Sequence, residues 1–237
     1  MEVHAVKHYK HIFFDLDHTL WDFEGNSRAV LTELHSEFGL AERSVPCGAF
    51  IPAYEAVNSG LWAAHESGSM DRETLRALRF RQALACLGIH DNAMAMRMEH
   101  LYMERCPVRP GLMEGALDLL NELHGKYMLH IITNGFTGTQ GLKLNASGIR
   151  HFFAVVLTSE QAGVAKPSPR IFRHALRSAG AAADQSLMIG DSARADMAGA
   201  RGAGIDHAHL APAGQHDEAA TYAITRLDDL RVLLLQG

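Results

Sequence analysis

Apolar residues fall into two alternating patterns along the chain. Short unbroken runs of strand type occur at HIFFDLD (11–17), YMLHIITNG (127–135), FFAVVLTS (152–159), SLMIGDS (186–192) and GIDHAHL (204–210), with a weaker candidate at TYAI (221–224). Between the later runs lie segments of helix length, such as PRIFRHALRSAG (169–180) and ARADMAGARGAG (193–204). Regular strand–helix alternation predicts an α/β fold whose parallel sheet carries helices on both faces.

Residues 22–105 break that rhythm. They contain no convincing strand and read as successive amphipathic helices at NSRAVLTELHSEFGL (26–40), PAYEAVNSGLWAAHES (52–67), DRETLRALRFRQALACLG (71–88) and NAMAMRMEHLYMERC (92–106). In the third, Leu75, Leu78, Leu84 and Leu87 recur near helical spacing, Asp71 supplies an N-cap and Gly88 a stop. Met94, Met96, Met98 and Met103 read as core of this helical segment. An insertion this long exceeds an ordinary connection and predicts a second, smaller domain. VRPGLMEGALDLLNELHG (108–125) then returns the chain to the sheet as a helix. The expected division is a Rossmann-like core, 1–21 with 106–237, and an inserted all-helical domain, 22–105.

Composition narrows the partners. A content of 47% hydrophobic and 21% charged residues excludes a disordered chain, and 237 residues suffice for a core domain plus an insertion. The formal net charge of -5 argues against a nucleic-acid polymer but leaves room for a small anion held by local positive charge. Cys47, Cys86 and Cys106 are scattered, with no CxxC pair, which fits reduced thiols better than a disulfide framework. No apolar span approaches the ~20 residues a membrane helix needs, and no signal-peptide pattern precedes the first strand. A cytoplasmic protein with no membrane partner, monomer or homodimer, is expected.

Parallel sheets place functional groups at the carboxyl ends of their strands. Sorted by that rule, the first strand ends in Asp15-Leu16-Asp17-His18-Thr19 and the second in Thr133-Asn134-Gly135. The fourth ends in Gly190-Asp191-Ser192, with Asp196 one turn on, and Lys166 stands in AKPSP before a helix. Clustered carboxylates repel unless a cation intervenes, and a hard dication such as Mg²⁺ meets that need while keeping room for a phosphate. Lys166 adds positive charge, and Thr133 and Asn134 add neutral donors, a set suited to a phosphoryl group. If the chain stays extended from Asp15 to Asp17, both carboxylates share a face.

These motifs, in this order, resemble those of the haloacid-dehalogenase superfamily, and the likeness spans nearly the whole chain, including a helical cap inserted after the first motif. The resemblance implies that Asp15 attacks phosphorus and forms an aspartyl-phosphate. Asp17 would protonate the leaving alcohol and then activate water. It implies Mg²⁺ held by Asp15, the Asp17 backbone carbonyl and Asp191, with Asp196 orienting the site from behind. Thr133, Asn134 and Lys166 would grip the phosphoryl group. Asp17 and Thr19 favour a phosphatase over a dehalogenase, which has no leaving alcohol to protonate. The longer string FFDLDHTLWDFEGNS (13–27) is similar to the pyrimidine 5′-nucleotidase branch, which implies a nucleoside 5′-monophosphate substrate met by Trp21, Phe23 and Asn26.

Rival readings remain open at this level. A sugar phosphate or phosphoglycolate would need the same chemistry, a metal-independent dehalogenase would release halide, and a non-catalytic relative would bind phosphate without turnover. Singly, the motif residues also have bland readings: turn or cap carboxylates, a surface lysine, and a helix-start Asp196 favoured by the dipole. His18 should point away from the carboxylates. His207 and His209 share a strand face but have no cysteine or acidic neighbour, so they read as structural rather than as a zinc site. Trp21 and Trp62 could equally be packing anchors.

Overall fold

A computed structural model describes residues 8–235. Among them, strands β1 (His11–Phe14), β2 (Met128–Thr133), β3 (Phe153–Thr158), β4 (Ser186–Gly190), β5 (Asp206–Leu210) and β6 (Tyr222–Ile224) form one sheet in the order β3-β2-β1-β4-β5-β6. Every pairing is parallel. The α/β Rossmann-like architecture expected from the alternation is therefore present, with the weak sixth strand included. Ile12, Phe13, Phe14, Ile131, Ile132, Leu187, Met188 and Ile189 are fully buried. A parallel sheet covered on both faces needs apolar residues at consecutive positions, which is why these strands read as unbroken runs.

The helices are α1 (Phe23–Glu37), α2 (Cys47–Glu66), α3 (Arg72–Cys86), α4 (Asn92–Arg105) and α5 (Ala116–Leu123). They continue with α6 (Thr137–Ala146), α7 (Ser159–Ala162), α8 (Pro169–Ala179), α9 (Ala198–Gly202) and α10 (Asp229–Leu235). In α8 the Ser168 hydroxyl accepts from Arg170 N, Pro169 takes the first helical position, and Gly180 closes the helix at φ 63°. Its Ile171, Phe172, Ala175 and Leu176 pack on Phe13, Ile132 and Met188 of the sheet. Each such large side chain contributes roughly 1.5–3 kcal/mol by leaving water.

The helix expected over 193–204 is not uniform. Ala193–Met197 form a turn of π-helix before α9 begins, and Met197 N reaches back to Ser192 O at 3.2 Å. Asp196 rides on this widened turn, a geometry often found at functional sites.

The chain divides into two compact units. One runs up to Phe23 and resumes at Pro110; the other is Glu24–Arg109. The sequence reading set these seams at 21/22 and 105/106. The second unit holds α1 through α4 beyond Phe23. Its core includes Leu31, Leu34, Phe50, Phe80, Leu84 and Met98, with Tyr54, Phe80 and Tyr102 in mutual ring contact at 4.8 to 5.6 Å. Asp71 caps α3 through Thr74 N at 2.7 Å, as expected. Two expectations change. Met96 is 67% exposed, because on α4 it faces away from the buried stripe Met94, Met98 and Tyr102. And α2 starts at Cys47 rather than 52, so Pro52 lies inside it instead of opening it.

Candidate active site

Strand order reverses at β1, whose neighbours are β2 and β4, and the crevice beyond the strand ends at such a point is where α/β sheets bind ligands. Asp15 directly follows β1 and extends its ladder, donating N–H to Ile189 O at 2.9 Å. The chain then closes a tight loop. Leu20 N and Trp21 N both donate to Leu16 O, His18 N donates to Trp21 O, and His18 takes a left-handed φ of 63°. That loop gives the two carboxylates different hydrogen-bond partners.

Asp15 belongs to an acidic cluster with Asp191 and Asp196, one oxygen from each lying within 4.8 Å of the others. Lys166 is buried beside it. Its ammonium donates to Asp15 Oδ1 at 2.5 Å, Asp196 Oδ1 at 2.6 Å and Ile132 O at 3.0 Å. A lysine has three donors and all three are used here, two of them on carboxylates whose charge it balances. Asp196 Oδ2 accepts from Ser192 N at 3.1 Å. A Cβ on residue 190 would overlap the Asp196 carboxylate, which explains the glycine before Asp191. Thr19 Oγ1 donates to Asp191 Oδ1 at 3.3 Å, tying the end of β4 to the loop after β1.

Asp17 turns elsewhere. Its Oδ1 accepts from Lys143 Nζ at 2.5 Å and its Oδ2 from Gln140 Nε2 at 2.8 Å. Neither partner was named from sequence. The signal available was their spacing: Gln140 and Lys143 stand three residues apart on one face of α6, the helix that follows Thr133-Asn134-Gly135. Gln140 also donates to Thr133 Oγ1 at 3.1 Å, and a Cβ on residue 135 would coincide with its amide. Gly135 therefore leaves the space that the Gln140 side chain occupies.

Asn134 is likewise committed to the protein. Its Nδ2 donates to Lys166 O at 3.1 Å and its Oδ1 accepts from Lys166 N at 2.8 Å, so it clamps the loop that carries Lys166. Thr133 Oγ1 accepts from Gly135 N and Gln140 Nε2, leaving its hydroxyl hydrogen as what it can offer. His209 is a further residue the sequence reading passed over as structural. Asp217 N–H donates to its Nδ1 at 2.8 Å, so Nε2 carries the hydrogen and donates to Asp191 O at 2.9 Å. Trp21 is fully buried and Phe23 half-buried, while Asn26 is buried in the helical unit.

The electrostatics follow from these neighbours. Burial, helped by the Asp196 charge, pushes the Asp15 carboxyl up to about 7 against the pull of Lys166. Burial and the Asp15 charge push Asp191 up to about 6, and burial also raises Asp196. For Asp17, burial is outweighed by the Lys143 ammonium and by hydrogen bonds from Lys143 and Gln140, which hold it below the usual carboxylate range. Lys166 stays protonated, since Asp15 and Asp196 outweigh the cost of burying it. Three oxygen donors whose ionisation is this costly form a set that a hard dication would relieve, and their chemistry fits Mg²⁺.

The model of the haloacid dehalogenase-like hydrolase family matches residues 9–204. The chain is similar to the HAD-hydrolase YfnB of Bacillus subtilis, 32% identical over 97% of each chain. A crystal structure of YfnB bound to magnesium superposes with a TM-score of 0.85 at 30% identity, covering 97% of this chain and 100% of that one. It is also similar to the pyrimidine 5′-nucleotidase YjjG of Escherichia coli, 32% identical over 94% of this chain and 96% of the relative. The pyrimidine 5′-nucleotidase PynA of Streptococcus pneumoniae is 32% identical as well, over 94% and 93%.

Proposed function

From a chain that belongs to the haloacid dehalogenase-like hydrolase family, and is an enzyme of that family, we propose a Mg²⁺-dependent phosphomonoester hydrolase acting on nucleoside 5′-monophosphates, pyrimidine nucleotides first. The observation that carries the chemistry is that two carboxylates only two residues apart have different partners. Asp15 sits in the cation-seeking cluster, whereas the oxygens of Asp17 are taken by Lys143 and Gln140.

In this reading Asp17, ionised in the free protein, takes up a proton from solvent as the anionic substrate binds beside it; Asp15 attacks phosphorus, the ester P–O bond breaks, and the leaving oxygen takes that proton from Asp17. Asp17, now a carboxylate, removes a proton from water as that water attacks the aspartyl-phosphate, releasing phosphate and restoring Asp15. Asp15, Asp191 and the Asp17 backbone carbonyl would hold Mg²⁺, with Asp196 beside them. When bound, the ion draws off phosphoryl charge and keeps Asp15 ionised. Lys166 balances the charge of Asp15 and Asp196, and the Thr133 hydroxyl is the side-chain donor for the phosphoryl oxygens. The substrate class rests on YjjG and PynA being named pyrimidine 5′-nucleotidases, and the metal on the magnesium-bound YfnB together with the donor set.

The test is phosphate release from a panel of pyrimidine and purine nucleoside monophosphates, sugar phosphates and phosphoglycolate, with and without Mg²⁺. Wild type and Asp15→Asn are compared. Release that needs Mg²⁺ and vanishes in the variant is expected, with the nucleotides turned over best. Appreciable turnover by Asp15→Asn refutes the covalent mechanism, and preference for a sugar phosphate refutes the substrate assignment alone.

A further inference from the structure

Lys143 is a lysine where a lysine is costly to keep. It is 4% exposed, on the buried face of α6, and its ammonium lies 4.4 Å from the centre of the Trp21 ring and 5.4 Å from that of Phe23. Aromatic faces attract a cation but cannot replace its hydration. The compensating partner is the Asp17 carboxylate at 2.5 Å. Gln140, one turn earlier, takes the other Asp17 oxygen and anchors its own amide on Thr133 Oγ1. Both oxygens of one carboxylate are thus held by two donors of a single helix, so neither rotation of the Asp17 side chain is free.

A surface turn carboxylate needs no such apparatus, but a group that must meet a leaving oxygen does, since a misplacement of about 1 Å can cost on the order of 10²-fold. We propose that Lys143 is the positioning residue for Asp17, with Gln140 as its second support and the Trp21 and Phe23 rings as the wall behind it. The inference rests on Asp17 being the proton donor to the leaving group. It also gives Trp21 a different task from stacking on substrate: its face is taken by the Lys143 ammonium.

The experiment compares kcat/KM for a nucleoside 5′-monophosphate with that for p-nitrophenyl phosphate. This ratio reports the steps up to departure of the leaving group. The alkoxide of a nucleotide needs a well-placed proton, and p-nitrophenolate departs with little help. Lys143→Met keeps the packing on the rings and removes the charge and donor. It is expected to lower kcat/KM on the nucleotide by about 10²-fold, with a loss on p-nitrophenyl phosphate at least about tenfold smaller. Lys143→Arg is expected to recover about tenfold or more of the nucleotide loss.

Equal losses on both esters, or no loss, in a variant with wild-type circular dichroism overturn the proposal. If Lys143→Met does not fold, Gln140→Met, which leaves the ion pair intact, should show a smaller split of the same sign, and no split there overturns it equally. A wild type inert on both esters, or an active Asp15→Asn, instead brings down the catalytic reading and the inference with it.

Discussion

Removing the Lys166 charge is the perturbation whose size the structure sets most directly. One ammonium serves Asp15 and Asp196, and all three side chains are buried. Lys166→Met preserves the length of the side chain and leaves two carboxylates with no balancing charge. Breaking a buried pair in this way costs about 3–5 kcal/mol. In a protein of this size each 1 kcal/mol moves Tm by roughly 2–4 °C, so a drop of roughly 6 to 20 °C is expected at pH 8 in EDTA. The sign of the pH dependence follows from Asp15, already pushed up to about 7 by burial with Lys166 present. Without Lys166 its folded value rises further above the unfolded one. The folded variant then binds more protons than the unfolded chain and gains stability as pH falls. The Tm gap between variant and wild type should therefore narrow between pH 8 and pH 5. Adding Asp196→Asn should restore part of the loss, since one orphan charge is removed. Calorimetric melts of the three proteins decide the matter. A Lys166→Met variant melting within about 2 °C of wild type at pH 8, or a gap that widens in acid, would refute the reasoning.

Further outcomes follow from other parts of the molecule. Asp17→Asn keeps the shape and the Gln140 contact but loses the proton, so turnover of a nucleotide should fall about 10²–10⁴-fold in steady-state assays; a near-normal rate would mean another group moves the proton. Gly190→Ala drives a methyl into the Asp196 carboxylate and should cost about 1–3 kcal/mol in urea melts, with weaker Mg²⁺ binding by titration calorimetry; wild-type stability would show that Asp196 has room to move. Burial, then the neighbouring His11 charge, lowers His130 to about 4, and its Nδ1 is buried with no partner among the described residues. The unfolded chain therefore binds this proton first, so the stability is complete above pH 6.5 and is lost as pH falls towards 4. His130→Leu should remove on the order of 1 kcal/mol from that acid-side loss, and identical pH–stability curves would exclude His130 as its source.

Local pattern alone settled a good deal here. The unbroken apolar runs at 11–14, 128–133 and 186–190 have one sensible home, a parallel sheet buried on both faces. The 3.6-residue spacing through 72–105 has one too, in helices with a buried stripe. Because functional groups of such sheets lie at strand ends, the candidates Asp15, Thr133, Asn134 and Asp191 could be named by reading off the residues at the end of each run. What the pattern could not reach are partnerships between distant segments. Lys143 stands 126 residues from Asp17, and Lys166 stands 151 from Asp15. The parallel registers of β1 with β2 and of β2 with β3 bring those segments together. For that reason no local pattern announces that Lys166 balances two carboxylates or that Asn134 clamps the loop that carries it. Gly135 and Gly190 read only as members of their motifs, yet each is a space that another side chain fills. A periodicity reports which face a residue shares with its neighbours in the chain; which charge waits on the other side of that face is a property of packing, and tertiary structure alone decided it.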